Sequence, residues 1–162
     1  MDDRRSAFAG NGASDVTPEV PKSFVAEIPK GFETEVSEAE AAIESLFEAY
    51  AAGFDDFDVD SIIACFQFPV TIWQSGRGNV FDDEEELAEN VEALLAVFER
   101  EEIVQSRFEI IEAAGDDGAA FAVLDWRQER DDGDAALEFR CRYALVRDEA
   151  GKGWRIALAV ND

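Results

Sequence analysis

The side chains that could carry chemistry are few in kind. The 162-residue chain has no histidine. That excludes the commonest general base, the usual nucleophile–histidine pairs and most zinc sites. Proton transfer would have to use Asp, Glu, Tyr, Cys or Lys. Two tyrosines, Tyr50 and Tyr143, could donate to an oxygen on which negative charge develops. Two cysteines, Cys65 and Cys141, form no CxxC and are too few for a disulfide framework. Both fall in apolar phase, as buried free thiols do. Asp125, beside Trp126 on a long apolar segment, has the look of a catalytic acid. The run from Asp82 to Glu86 lacks the spacing and glycine of a calcium loop, so it reads as a helix start and no metal site is expected.

Elements must position these groups. Residues 1–36 are punctuated by Gly10, Gly12, Pro18, Pro21 and Pro29 and show no period, which predicts an arm, flexible at its start. Within it Pro21-Lys22-Ser23-Phe24 and Pro29-Lys30-Gly31-Phe32 echo each other, and Phe24 and Phe32 are candidate anchors. One domain is expected over 37–162. Ser37 and Glu40 form a capping box, followed at helical spacing by Ile43, Leu46, Phe47 and Tyr50, with Gly53 ending the helix. Asp58 caps a second helix striped by Val59, Ile62, Ile63 and Phe66 and closed by Pro69. Val70 to Gln74 is β-branched and aromatic, a strand, and Gly76 to Asn79 a turn. Asp82 or Asp83 caps a third helix, whose Glu84, Glu85 and Glu86 suit the positive end of its dipole and whose buried stripe is Leu87, Val91, Leu94, Leu95 and Phe98. Strands follow at about 103–113, 118–130 and 135–147 and from Trp154 to Val160. Their short turns make an antiparallel meander.

Register decides which residues face a common interior, because one slip exchanges the two faces of a strand. Folding about Asp132-Gly133 pairs Trp126 with Phe139, Leu124 with Cys141 and Ala122 with Tyr143. The other face pairs Asp125 with Arg140 and Arg127 with Glu138. Folding the last turn sets Leu145 against Ile156 and Tyr143 against Leu158. A loop with Gly118 left-handed sets Ile110 against Ala122 and Phe108 against Leu124, with Arg107 beside Asp125. Asp125 is then a structural ion-pair partner on the outer face. The inner face could gather Tyr50, Trp73 or Gln74, Phe98, Trp126, Cys141, Tyr143 and Trp154 around one cavity. Buried Tyr and Trp need hydrogen-bond partners, so this lining is mixed in polarity and suits a small apolar ligand. The outer face carries Val123, Ala144, Val146, Ala157 and Ala159, which predicts a homodimer through it.

Composition limits the partners. The chain is 47% hydrophobic and 11% aromatic, enough for a core, and carries 38 acids against 14 bases, a net charge of −24. Such a surface repels nucleic acid and anionic membranes. No apolar run approaches the ~20 residues of a membrane span, and the first residues lack the apolar region of a secretory signal. A cytoplasmic location is the expectation.

The order helix, helix, strand, helix and antiparallel meander resembles the nuclear transport factor 2-like superfamily. The segments that carry the likeness are Leu46 to Gly53, Val59 to Phe66, Val70 to Trp73 and Phe81 to Leu87. The SnoaL-like and ketosteroid-isomerase-like branches are the most similar. The resemblance covers 37–162. It implies a cystatin-like α+β fold, a conical and mostly antiparallel sheet wrapped around three helices, commonly dimeric through the outer face. Catalytic members place a tyrosine on the first helix, matched by Tyr50, and an aspartate base at the end of the first strand, where this chain has Gln74. An amide takes no proton at neutral pH. Two readings stand: a non-catalytic binding or assembly module, which this departure favours, and a cofactor-independent isomerase, dehydratase or cyclase using Tyr50. An ionisable acid inside the cavity would decide between them.

Overall fold

The computed structural model describes residues 30–162 apart from residue 152, with side chains from residue 40. The echoing Phe24 segment and the first part of the expected arm lie outside the described residues, as does the side chain of Phe32. The elements are α1 (Lys30–Asp55), α2 (Val59–Ile63), β1 (Phe66–Gln74), β2 (Arg77–Phe81), α3 (Glu84–Arg100), β3 (Ile103–Gly115), β4 (Ala119–Arg130), β5 (Ala135–Arg147) and β6 (Trp154–Asn161). One open six-stranded sheet has the order β2-β1-β6-β5-β4-β3. Its pairs are antiparallel except β1 with β6, which is parallel. Helices and a curved mixed sheet make the expected α+β architecture. Among the described residues no helix is long and apolar enough to cross a membrane.

The helices follow their local signals, with two corrections. Asp58 caps α2, and its carboxylate accepts from Ser61 N–H at 3.3 Å. Asp83 caps α3, accepting from Glu86 N–H at 3.0 Å while Glu86 accepts from Asp82 N–H at 2.7 Å. These bonds satisfy donors that a helix start leaves open. Helix α1, however, begins at Lys30 and runs through Ser37, so the capping box is not a start. Lys30–Val36 contains no proline, and the penalties of its Thr and Val, and of Gly31 in the first turn, are small enough for a continuing helix to absorb. Gly53 is likewise inside α1 rather than at its end. A Cβ there would stand 2.8 Å from Ile62 Cγ1, so the glycine is required by the close approach of α2.

The first strand is longer than Val70 to Gln74, and its partner β2 occupies the stretch expected to be a turn. Ser75 and Gly76, both with positive φ, form a two-residue hairpin loop, and β2 follows at once. Gly78 lies under the indole of Trp73, where a Cβ would stand 2.6 Å from Cε2. Pro69 sits within β1 rather than closing α2. The β1–β6 ladder is interrupted between Phe66 and Thr71, the stretch holding this residue without an N–H.

The β4–β5 register is the expected one: Trp126 faces Phe139, Leu124 faces Cys141 and Ala122 faces Tyr143. In the first hairpin Asp116 closes the turn by accepting from Gly118 and Ala119 N–H at 2.9 and 3.0 Å. Gly118 is not among the residues with positive φ. The pairs become Ile110 with Leu124 and Phe108 with Trp126, and Arg107 faces Arg127. The inward face of β3 is the expected one, but every partner moves two residues along. In the last hairpin the register shifts between Ala144 and Leu145, leaving Ala157 as an extra residue. Tyr143 therefore meets Ala159 rather than Leu158. Ala159 turns inward and is buried, so it leaves the expected outer-face set.

The core fills the layer between α1 and the sheet. Ile43, Leu46, Phe47, Ala51 and Phe54 of α1 pack with Leu87, Val91, Leu95 and Phe98 of α3 and with inward residues of the strands, among them Leu124, Leu145 and Ile156. The tight α1–α2 contact generates a test. Gly53→Ala improves intrinsic helix propensity yet forces Ile62 to move, so thermal or denaturant unfolding should show a net loss of about 1–2 kcal/mol. Unchanged or increased stability would contradict the contact.

Candidate functional site

The sheet's curvature leaves a cavity of about 540 Å³ between α3 and the ends of β1, β4, β5 and β6. Tyr50 and Phe54 reach it from α1, Phe66, Ile72 and Gln74 from β1, and Val91, Leu94 and Phe98 from α3. The sheet contributes Trp126, Gln128, Phe139, Cys141, Tyr143 and Ala159, and Asn161 and Asp162 lie at its C-terminal side. Of the predicted lining, the structure brings together Tyr50, Gln74, Phe98, Trp126, Cys141 and Tyr143. Trp73 and Trp154 stand elsewhere. Ile72 and Gln74 face inward, so alternation puts Trp73 on the outer face, 44% exposed. Trp154 is buried at the opposite end of β6, with the Arg147 guanidinium 3.9 Å from its ring centre.

Aromatic packing sets the inner wall. Tyr50 is half-buried and meets Phe54, Phe66 and Trp126 edge-on, with centroids 5.0, 5.6 and 5.8 Å away. Edge-to-face contact of this kind matches the positive ring edge to the negative ring face. Trp126 Nε1–H donates to Tyr143 Oη at 2.9 Å. This single bond gives the buried indole its acceptor and joins β4 to β5 across the floor.

The tyrosines and the cysteine of that wall are held neutral. Burial, reinforced by Cys141 and Cys65, drives the Tyr50 hydroxyl far above the ordinary tyrosine range. Burial, with Tyr50 and Cys141, does the same to Tyr143. Burial also pushes the Cys141 and Cys65 thiols up to about 11, against the pull of Tyr143 on the first and Arg155 on the second. These shifts favour the hydroxyl and thiol over tyrosinate and thiolate at neutral pH. Among the described lining residues the one carboxylate is Asp162, half exposed and paired with Arg142. Gln74, at the position where the resemblance implies a base, is an exposed amide on the lining. Among the described residues no His, Cys, Asp or Glu cluster could hold a metal.

Asp125 lies outside the cavity. Its two carboxylate oxygens accept from Arg140 Nε and Nη2 at 2.7 and 3.0 Å, and these bonds hold its pKa below the usual carboxylate range. Glu129 is lowered in the same way by Arg107 and Arg127. A lowered carboxylate contributes stability that is complete above its unfolded pKa and is lost as pH falls through its folded value. Arg107 thus pairs with Glu129 rather than with Asp125.

Among the lining residues absent from the sequence-based set is Gln128. It shares Trp126's face two positions on, so the same alternation points to it. It is only 5% exposed, and its Oε1 has no hydrogen-bond partner.

Solved structures share this architecture. A ketosteroid isomerase-like protein from Erwinia carotovora atroseptica is 23% identical with a TM-score of 0.57, over 75% of this chain and 92% of that one. An NTF-2 like protein of unknown function from Shewanella oneidensis is 15% identical with a TM-score of 0.60, over 75% and 97%. A putative calcium/calmodulin-dependent protein kinase type II association domain from Thiobacillus denitrificans is 14% identical with a TM-score of 0.59, over 73% and 91%. These likenesses establish an NTF2-like fold. The model of the family described as NTF2-like protein (DUF6841) matches residues 37–162, and the chain belongs to that family. No curated protein sequence matches it.

The Trp126–Tyr143 bond is directly testable. Tyr143→Phe strips the indole N–H of its acceptor inside a buried wall and should lower unfolding free energy by about 1–3 kcal/mol. A loss under about 0.5 kcal/mol would show that the bond is dispensable.

Proposed function

We propose that this chain is a non-catalytic binding protein that holds a small, neutral, apolar molecule in the cavity beneath α3. The observation that carries this reading is the cavity wall itself: aromatic rings and two hydroxyls held in their neutral form, with the lining carboxylate Asp162 already engaged by Arg142. Apolar pockets with a few fixed polar groups are the usual form of small-molecule sites, at ~300–1,000 Å³. A proton-transfer enzyme needs a group of matched pKa beside the substrate, and the inner wall offers groups shifted away from neutrality.

The test is titration with the neutral fluorophore N-phenyl-1-naphthylamine. The wild-type chain should show saturable enhancement. Ala93→Trp, an exposed α3 position on the lining, should narrow the mouth and weaken binding by about tenfold, a cost of ~1.4 kcal/mol. Asp125→Asn, on the other face, should leave binding unchanged. Equal binding by wild type and Ala93→Trp, or none by either, would overturn the reading.

We also infer a homodimer through the outer sheet face. Directly paired residues share a face, and one row across all six strands reads Val80, Thr71, Leu158, Ala144, Phe121, Ala114. The adjoining row places Trp73 beside Val160. Phe121 is 67% exposed and Val80 60%, a cost that a partner surface would offset. A stable pair buries on the order of 1,200–2,000 Å² in total. Sedimentation at micromolar concentration should find a dimer that Phe121→Glu converts to monomer. A wild-type monomer would refute it.

A further inference from the structure

The unpartnered Gln128 oxygen narrows the ligand class, given the binding function proposed for the cavity, on which this inference rests. Gln128 lies near the end of β4 between Ser106 on β3 and Leu137 on β5. Neither neighbour gives Oε1 a partner, and the Ser106 hydroxyl opposite is itself buried without one. A buried amide oxygen without a donor is costly, and such groups in folded proteins nearly always have one. Gln128 lines the cavity, and its terminal torsion is broad and roughly two-fold, so a small rotation presents the oxygen to whatever occupies the space.

We propose that Gln128 is the specificity residue of the cavity and that it accepts a hydrogen bond from a neutral hydroxyl on an otherwise apolar, flat ligand. The ligand must donate, because the open group is an acceptor. It must be neutral for two reasons. An anion would meet a chain of net charge −24, entering beside α3, which carries Glu84, Glu85, Glu86, Glu89, Glu92 and Glu99 against Arg100 alone. A cation would need more than one amide oxygen to replace its lost hydration. The rest of the ligand meets Phe54, Phe98, Trp126 and Phe139, whose ring faces and edges favour a flat body. A ketone or ether that could only accept would leave Oε1 as it stands.

Matched probes separate this proposal from the reading beneath it. Binding of 2-naphthol and of 2-methoxynaphthalene, which keeps the ring and the acceptor but lacks the donor, is measured by calorimetry at pH 7. The wild-type chain should prefer 2-naphthol by about three- to tenfold, the usual worth of one hydrogen bond. Gln128→Met, of nearly the same shape, should bind both probes equally. The same variant without ligand should melt roughly 2–4 °C higher, because an unpaired polar group has been removed. If both probes bind the wild type with one affinity, or the preference survives in Gln128→Met, the role of Gln128 is refuted while the apolar cavity reading stands. If neither probe binds, both fail together.

Discussion

A strand can keep its apolar side chains on one side only while its residues alternate without interruption. This sheet depends on breaking that rule at chosen places. Extra residues fall at Val104 and Ile111 in β3, at Ala136 in β5 and at Ala157 in β6. Each bends its strand and adds local twist. The one in β6 also exchanges faces: Trp154 and Ile156 point inward before it, Ala159 after it. A large side chain fills the narrow end and a small one borders the cavity. Curvature and open space therefore come from the same inserted residue.

The polar chemistry of the molecule divides along the sheet. On the inner face, hydroxyls, thiols and amides sit among aromatic rings, and burial keeps the hydroxyls and thiols neutral by penalising charge. On the outer face Arg140 holds Asp125, and Arg107 and Arg127 share Glu129. The charged residues that might have suggested catalysis support the sheet, and burial disfavours ionisation of Tyr50, Tyr143 and Cys141 in the cavity wall. Function of the proposed kind then rests on shape and on a few hydrogen bonds.

Much of the fold was legible because its signals are local. Asp58 and Asp83 each satisfy a helix start three residues ahead, and Gly133 takes a positive φ in a tight turn. From that turn the pairing of Trp126 with Phe139, and hence the outward place of Asp125, follows by counting. What escaped was non-local. An inserted strand residue has no composition of its own, so the shift that moved Ala159 inward was invisible. Gly78 resembled a loop glycine, because its reason, the Trp73 indole above it, lies across the hairpin. Trp73 and Gln74 could not be separated until β1 had a fixed face. Gln128 was readable from the register that placed Trp126, but it has neither an aromatic ring nor an ionisable group to mark it as part of a site.

The arginines of the sheet have one more effect. Eight of them, Arg77, Arg107, Arg127, Arg130, Arg140, Arg142, Arg147 and Arg155, lie on its strands, while α3 is strongly acidic. The molecule is thus an electric dipole as well as a polyanion, with its sheet the less negative end. Two copies meeting at low ionic strength repel as wholes, yet the repulsion is weakest sheet to sheet. Salt at physiological strength screens fields beyond about 8 Å, which suppresses the overall repulsion and leaves short-range contact to decide. The charge pattern orients an encounter before any apolar surface is touched.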